Sequence, residues 1–288
     1  MRSASTRDTV ALSPDLPGGA LNVPFFRPSI HEAEIAEVVR CLRSGWLTTG
    51  PLAKRFETEF AAAVGAQHAV AVNSATAALH LAAEALQLAP DQAVLVPTMT
   101  FAATAEIVRY RGAVPILVDC EEATFNMDLQ DAERKIEQAQ AGSLAATGGR
   151  ALKVVGIIPV HVSGLMMDMA AVRQFAERHG LWVVEDAAHA FPAAWRPSPE
   201  SAWQRCGQGT SAVSCFSFYA NKTITTGEGG MAVTDDPALA DRMRMMSLHG
   251  LSHDAWNRYT KGGSWDYQIV AAGFKYNLTD IAAAIGVH

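Results

Sequence analysis

The 288-residue chain is short of cysteine, of charge and of long apolar runs. Its four cysteines, Cys41, Cys120, Cys206 and Cys215, form no C-x-x-C pair, and no histidine cluster stands at zinc-ligand spacing. Neither a disulfide framework nor a zinc module finds support, and no metal is expected. Reduced thiols in a cytosolic protein are the expectation. No stretch reaches the ~18 consecutive apolar residues of a membrane span. The opening MRSASTRDTVALSPDLPGG has no apolar core of the kind a secretory signal needs. The Asn-x-Thr sequons at Asn221 and Asn277 then read as chance matches. Charged residues make up only 18% of the chain, and 29 acidic against 23 basic residues leave a net charge of −6. That balance argues against a nucleic-acid partner or an anionic membrane surface. Also absent are G-x-G-x-x-G after a strand, G-x-x-x-x-G-K-[ST], H-E-x-x-H and G-x-S-x-G. Nicotinamide-binding, P-loop, zinc-protease and hydrolase chemistry lose their main support.

What is present is an ordinary globular balance, with 49% apolar residues. Residues 1–20 mix Ser, Pro, Gly and Asp without period and read as a flexible arm. Helical and extended patterns then alternate over residues 21–288. Helices are expected at 31–45, with Ile35, Val38, Val39 and Leu42 on the apolar face and Gly45 as the stop, and at 53–65. Further helices follow from Ser74 onward, from Thr100 onward, at the run LQDAERKIEQAQ, at 168–180 and at 237–250. Strands are expected at 68–72, 93–97, 114–120, 153–162, 181–187, 211–218 and 229–235. This alternation indicates an α/β fold with a largely parallel sheet. Residues 196–210 read as a Pro/Ser/Gly loop. The final segment, NLTDIAAAIGVH, opens like a helix capped by Thr279 and stops after about two turns without a C-terminal signal. A fragment or natural truncation is the expectation there.

Three segments carry possible chemistry, each at the C-terminal end of an expected strand, where ligands bind in open α/β sheets. In NSATAALH (73–80), small and hydroxyl residues open a helix, so free N–H groups and the Thr76 hydroxyl could hold a phosphate. A plain helix cap is the ordinary alternative. In VVEDAAHA (183–190), an acidic pair directly after an apolar strand must be solvated, hydrogen-bonded or paired. Asp186 could hold a cationic ring nitrogen protonated, with His189 against the same ligand, or the pair could merely cap a helix. In SCFSFYANKTITTGEGGMAV (214–233), Ser217 and Lys222 precede a Gly-rich turn. A lysine against an apolar wall can act as nucleophile and base, whereas a solvated loop lysine is the ordinary case. Taken together, a phosphate cradle, a strand-end carboxylate and a lysine are what pyridoxal 5'-phosphate needs.

At this point the sequence resembles the DegT/DnrJ/EryC1/StrS sugar aminotransferases. The resemblance runs from PFFRPSI through SGWLTTGP, NSATAALHLA, VPTMTFAAT, VVEDAAHA, CFSFYANKTITTGEGG and MMSLHG to GFKYNLTDIAAAIG, about residues 22–288. It implies the three-layer large domain of type I pyridoxal-phosphate-dependent transferases, with a mostly parallel mixed sheet and the C-terminal small domain largely missing. By the same resemblance, Lys222 matches the Schiff-base lysine and Asp186 the partner of the pyridine nitrogen. Phe101 matches the aromatic residue stacked on the ring, and His189 a residue near the ring and its 3'-oxygen. Thr76, the Ala77 N–H and Ser217 match phosphate ligands. Asn277 matches a residue reaching the phosphate of a neighbouring subunit, which implies a homodimer with shared sites. His161 and Glu228 also match family positions and are expected to be structural. SGWLTTGP and GFKYNLTDI look most like enzymes that aminate the 4-keto position of UDP-sugars, as in 4-amino-4-deoxy-L-arabinose synthesis for lipid A. Glutamate is the implied donor, 2-oxoglutarate its product, and a keto-sugar nucleotide the acceptor. The alternatives are a dehydratase of the same family, in which histidine replaces the lysine, and an inactive or regulatory cofactor-binding relative. The stretch 192–210 also looks longer than usual for the family.

Overall fold

The computed structural model describes residues 24–251 and 268–288. The expected arm at 1–20 lies outside the described residues. Seven strands form one sheet: β1 (His68–Val72), β2 (Gln92–Pro97), β3 (Val114–Val118), β4 (Lys153–Ile157), β5 (Trp182–Asp186), β8 (Val213–Ser217) and β9 (Gly230–Thr234). Their spatial order is β1-β9-β8-β5-β4-β2-β3. β9 runs antiparallel to both its neighbours, and every other pairing is parallel. The central strands are buried on both faces, which is why they read as nearly unbroken apolar runs.

The sheet is the middle of three layers. Val70, Val72, Val94 and Val96 pack with α3 (Ala75–Ala85), α4 (Ala103–Tyr110) and α7 (Pro237–Met246). Their alternating neighbours Ala93 and Leu95 pack with α5 (Leu129–Gln140) and α6 (Met169–His179), while Ala69 and Ala71 pack with α2 (Pro51–Val64) and α8 (Asp280–Gly286). This split follows from the two-residue period of a strand. α3 is buried from Ala77 through Glu84, consistent with its Ala/Leu-rich sequence. On the α2 side, Phe60 sits 5.1 Å from Phe216 and 5.2 Å from Phe218, ring centre to ring centre.

Asp280, at the start of α8, is buried and caps α2. Its carboxylate accepts the N–H groups of Gly50, Leu52 and Ala53 at 2.7, 3.1 and 2.9 Å. One acidic side chain thus satisfies donors that the first helical turn leaves open. It also ties the SGWLTTGP and YNLTDI motifs, 227–230 residues apart in sequence, into one unit. Thr279 caps α8 as expected, accepting the Ala282 N–H at 3.2 Å.

Three expectations need correction. α1 (Glu32–Ser44) ends at left-handed Gly45 as expected, but its inner face is Glu34, Val38 and Cys41. Ile35 and Leu42 are 48% and 51% exposed, because α1 meets α8 along its other side. Residues 196–210 are not all loop, since β7 (Gln204–Arg205) pairs with β6 (Ala194–Trp195). α7 stops at Met246 rather than 250. The carbonyls of Met246 and Ser247 accept the N–H groups of Phe274 and Tyr276, so the returning chain takes the bonds a further turn would have used.

Candidate active site

The C-terminal ends of β2, β4, β5 and β8 and the N-terminus of α3 open into one cavity of about 760 Å³. Thr76, Phe101, Asp186, His189, Ser217 and Lys222 all line it. These residues lie up to 146 positions apart in sequence (76 to 222), and the parallel strand order brings them together. Thr100, Tyr219, Asn221 and Glu228 line it too.

At its base lies Asp186, the last residue of β5 and 5% exposed. Its Oδ2 accepts the Thr104 hydroxyl at 2.6 Å, and its Oδ1 accepts the Ala188 N–H at 3.2 Å. Lys222 follows β8 on a turn closed by its own N–H to the Tyr219 carbonyl. Its amine makes no hydrogen bond or ion pair among the described residues. Partial burial lowers this amine below the ordinary lysine value, and the Asp186 charge offsets part of that. The His189 imidazole is lowered by its partial enclosure and by the Lys222 charge, with Asp186 opposing. Enclosure and the nearby lysine thus both favour the neutral imidazole. Phe101 lies 80% exposed on the turn before α4, an apolar ring offered to the cavity.

The cradle at α3 differs in one atom from expectation. Ser74 caps the helix, and its Oγ accepts the Ala77 N–H at 3.1 Å. Ala77 is buried and does not line the cavity. The Ala75 and Thr76 N–H groups make no hydrogen bond among the described residues, so they are the open donors at this positive helix end. Ser217 Oγ accepts the Tyr219 N–H at 3.3 Å and keeps its own proton free for a ligand. Asn277 lines a different cavity with Thr49, Lys54, Glu57 and Arg244, and its side chain donates to Thr49 Oγ1 at 2.6 Å.

Gly230 explains how the cradle reaches the sheet. A Cβ there would lie 2.4 Å from the Ser74 carbonyl carbon and 2.6 Å from the Ala75 nitrogen. Both are backbone atoms, so the turn itself would have to move. Gly230→Ala is expected to weaken phosphate or phosphorylated-cofactor binding by about tenfold or more, since the backbone shift that relieves this clash misaims two N–H donors. Equilibrium dialysis checks it, and unchanged affinity would reject this role for Gly230.

Behind the cavity wall lies a buried network that sequence reasoning did not find. Glu185, next to Asp186 but on the opposite strand face, is fully buried. It accepts hydroxyls of Thr210 at 2.6 Å and Ser214 at 2.9 Å, and His161 Nε2 lies 2.8 Å away. His161 Nδ1 accepts the Met167 N–H, so Nε2 carries the proton and donates to Glu185. The Cys206 thiol is 3.8 Å from the same carboxylate, and burial pushes it well above its ordinary value. Burial alone would raise Glu185, but the bonds from His161 and Thr210 bring it down to about 2. His161 is thereby fixed in the cavity wall by its neighbours.

A mostly parallel α/β sheet with a lysine, a carboxylate and a helix N-terminus at its carboxyl edge is the large-domain architecture of type I pyridoxal-phosphate-dependent transferases. The chain belongs to the DegT/DnrJ/EryC1/StrS aminotransferase family, whose profile matches residues 28–288. It is 44% identical over 266 residues to the Bacillus subtilis spore coat polysaccharide biosynthesis protein SpsC, covering 92% of this chain and 63% of that protein. The structure of the putative sugar aminotransferase Spr1654 from Streptococcus pneumoniae in its PMP form superposes with a TM-score of 0.80 at 34% identity, covering 92% of this chain and 66% of that one. The structure of S. venezuelae DesV in complex with a ketimine intermediate gives a TM-score of 0.73 at 35% identity, covering 88% of this chain and 59% of that one. The chain thus spans somewhat under two thirds of the length of these relatives. No described helix is long and apolar enough to cross a membrane.

Proposed function

We propose that residues 21–288 are the cofactor-binding large domain of a pyridoxal 5'-phosphate-dependent aminotransferase. Its proposed reaction moves an amino group from glutamate to a keto-sugar nucleotide, a UDP-4-keto sugar, in the cytosolic synthesis of a cell-surface polysaccharide or lipid A sugar. The observation that carries this reading is one cavity that holds an unpaired amine, a buried carboxylate and an open helix N-terminus. The residues present fit the group. The space a Gly230 side chain would occupy is left to the Ser74–Ala75 turn, and the Ala75 and Thr76 donors remain open to a phosphate. An exposed Phe101 ring is available to cover a flat heterocycle.

When bound, the cofactor supplies an electron sink for the pair left behind as a proton leaves the donor carbon. The chain supplies everything else. Asp186 would hold a proton on the ring nitrogen, and Thr76 with Ser217 would anchor the phosphate. Lys222 would hold the cofactor through its side-chain amine. That Nζ, whose uncharged form burial favours, would serve as the base for the donor's Cα proton. Neutral His189 keeps a second positive charge away from that amine. Lysine at 222 favours transfer over the dehydratase reading. The homodimer, with Asn277 serving a neighbouring site, belongs to the same proposal.

The test is a half-reaction. Glutamate added to the chain loaded with the cofactor is expected to release one 2-oxoglutarate per cofactor and leave the aminated form. Bound cofactor with no 2-oxoglutarate released would favour the binding-only relative instead.

A further inference from the structure

We propose that Thr104, supported by Thr100, is a positioning residue that aims the Asp186 carboxylate at the ring nitrogen. The inference rests on the functional reading above and adds to it a chain of hydroxyls with one polarity.

Thr104 is the second residue of α4, fully buried, and 82 residues from Asp186 in sequence. Its Oγ1 lies 2.6 Å from Asp186 Oδ2, and Thr100 Oγ1 lies 2.6 Å from Thr104 Oγ1. A carboxylate can only accept, so the single Thr104 proton lies on the Asp186 side. The Thr104 oxygen can then only accept from Thr100, which spends the Thr100 proton in turn. The order is therefore Thr100 to Thr104 to Asp186, and each bond polarises the next. The second carboxylate oxygen takes the Ala188 N–H at 3.2 Å. Each oxygen thus has one fixed protein donor. Together the two donors stop the carboxylate rotating away from the cavity it lines.

A buried threonine early in a helix would ordinarily bond its own backbone. Here the hydroxyl is given to another element. The same turn is tied to the cavity a second time, because the Thr104 N–H donates to the Phe101 carbonyl at 3.2 Å. One short segment, TMTFAAT, therefore sets both the ring-covering aromatic and the acid that holds the ring proton.

Thr104→Val removes the hydroxyl and keeps the branched shape, while Thr104→Ser keeps the hydroxyl. Two readouts on cofactor-loaded protein decide the matter. The nitrogen-15 resonance of ring-labelled cofactor should move toward the unprotonated position in Thr104→Val and stay at the wild-type position in Thr104→Ser. The glutamate half-reaction should slow by about tenfold in Thr104→Val, the range for one charge-assisted hydrogen bond. That slowing should vanish when the protein is loaded with the carbocyclic analogue lacking the ring nitrogen, an outcome a merely structural role would not produce. If Thr104→Val does not fold, Thr100→Val, which alters a cavity-wall hydroxyl, should show the same resonance shift in smaller measure. A loaded Thr104→Val protein with an unshifted resonance, or equal slowing with the analogue, overturns the inference alone. A wild-type chain that takes up no cofactor overturns the functional reading and this inference with it.

Discussion

Lys222→Ala is expected to leave a folded chain that has lost the visible absorbance of lysine-bound cofactor and slowed amino transfer by roughly 10⁴-fold, the upper range for a positioned proton-transfer group. The fold should survive because the Lys222 amine has no hydrogen-bond or ion-pair partner among the described residues, so its removal orphans nothing. Few surface or half-buried substitutions of that kind exceed about 0.5 kcal/mol. Borohydride trapping offers a direct check, since reduction of the loaded wild-type protein should fix the cofactor on Lys222 and nowhere else. Because burial holds this amine below the ordinary lysine value, covalent capture should persist to lower pH than for a surface lysine. Label found on another lysine, or an absorbance band kept by the variant, would remove Lys222 from the role.

Glu185→Ala should be the most damaging substitution for stability. It strips the acceptor from His161, Thr210, Ser214 and Cys206 in a fully buried site. Breaking a buried charged network from one side costs about 3–5 kcal/mol. Glu185→Gln should be milder yet still costly. With its carbonyl turned to the His161 Nε2–H, its NH2 would face the Thr210 and Ser214 hydroxyls, which would then have to accept and leave their own protons without this partner. The pH dependence has a definite sign. The folded carboxyl is depressed from 4.5 to about 2, so its stabilisation is complete above 4.5 and lost as the pH falls toward 2. Urea denaturation at pH 7 and pH 3 should therefore show a large gap between wild type and Glu185→Ala that narrows in acid. A gap below about 1 kcal/mol at pH 7, the size of one ordinary hydrogen bond, would mean the network contributes little.

Much of the architecture was legible because it depends on local pattern. Strands buried on both faces declare themselves as apolar runs, and left-handed Gly45, Gly65 and Gly180 end helices where the sequence places them. Six of the eight expected site residues share one cavity because each stands at the carboxyl end of a strand or the start of the following helix. The rest depended on partners far away in sequence. Whether Ser74 or a ligand takes the Ala77 N–H is decided by a side-chain rotamer. The outward stripe of α1 has the same helical period whether or not anything covers it. Glu185 read as a possible helix cap because its four partners lie 21–29 residues away on other elements.

The sequence by itself determined the element order, the α/β class and the residue types gathered at the candidate site, since those follow from periodicity, capping and chemical identity. Only the tertiary structure decided what the neighbouring acid meets. Successive strand residues face opposite sides of the sheet, so Asp186 lines the cavity while Glu185 turns into the core, and its partners His161, Thr210 and Ser214 come from other parts of the chain.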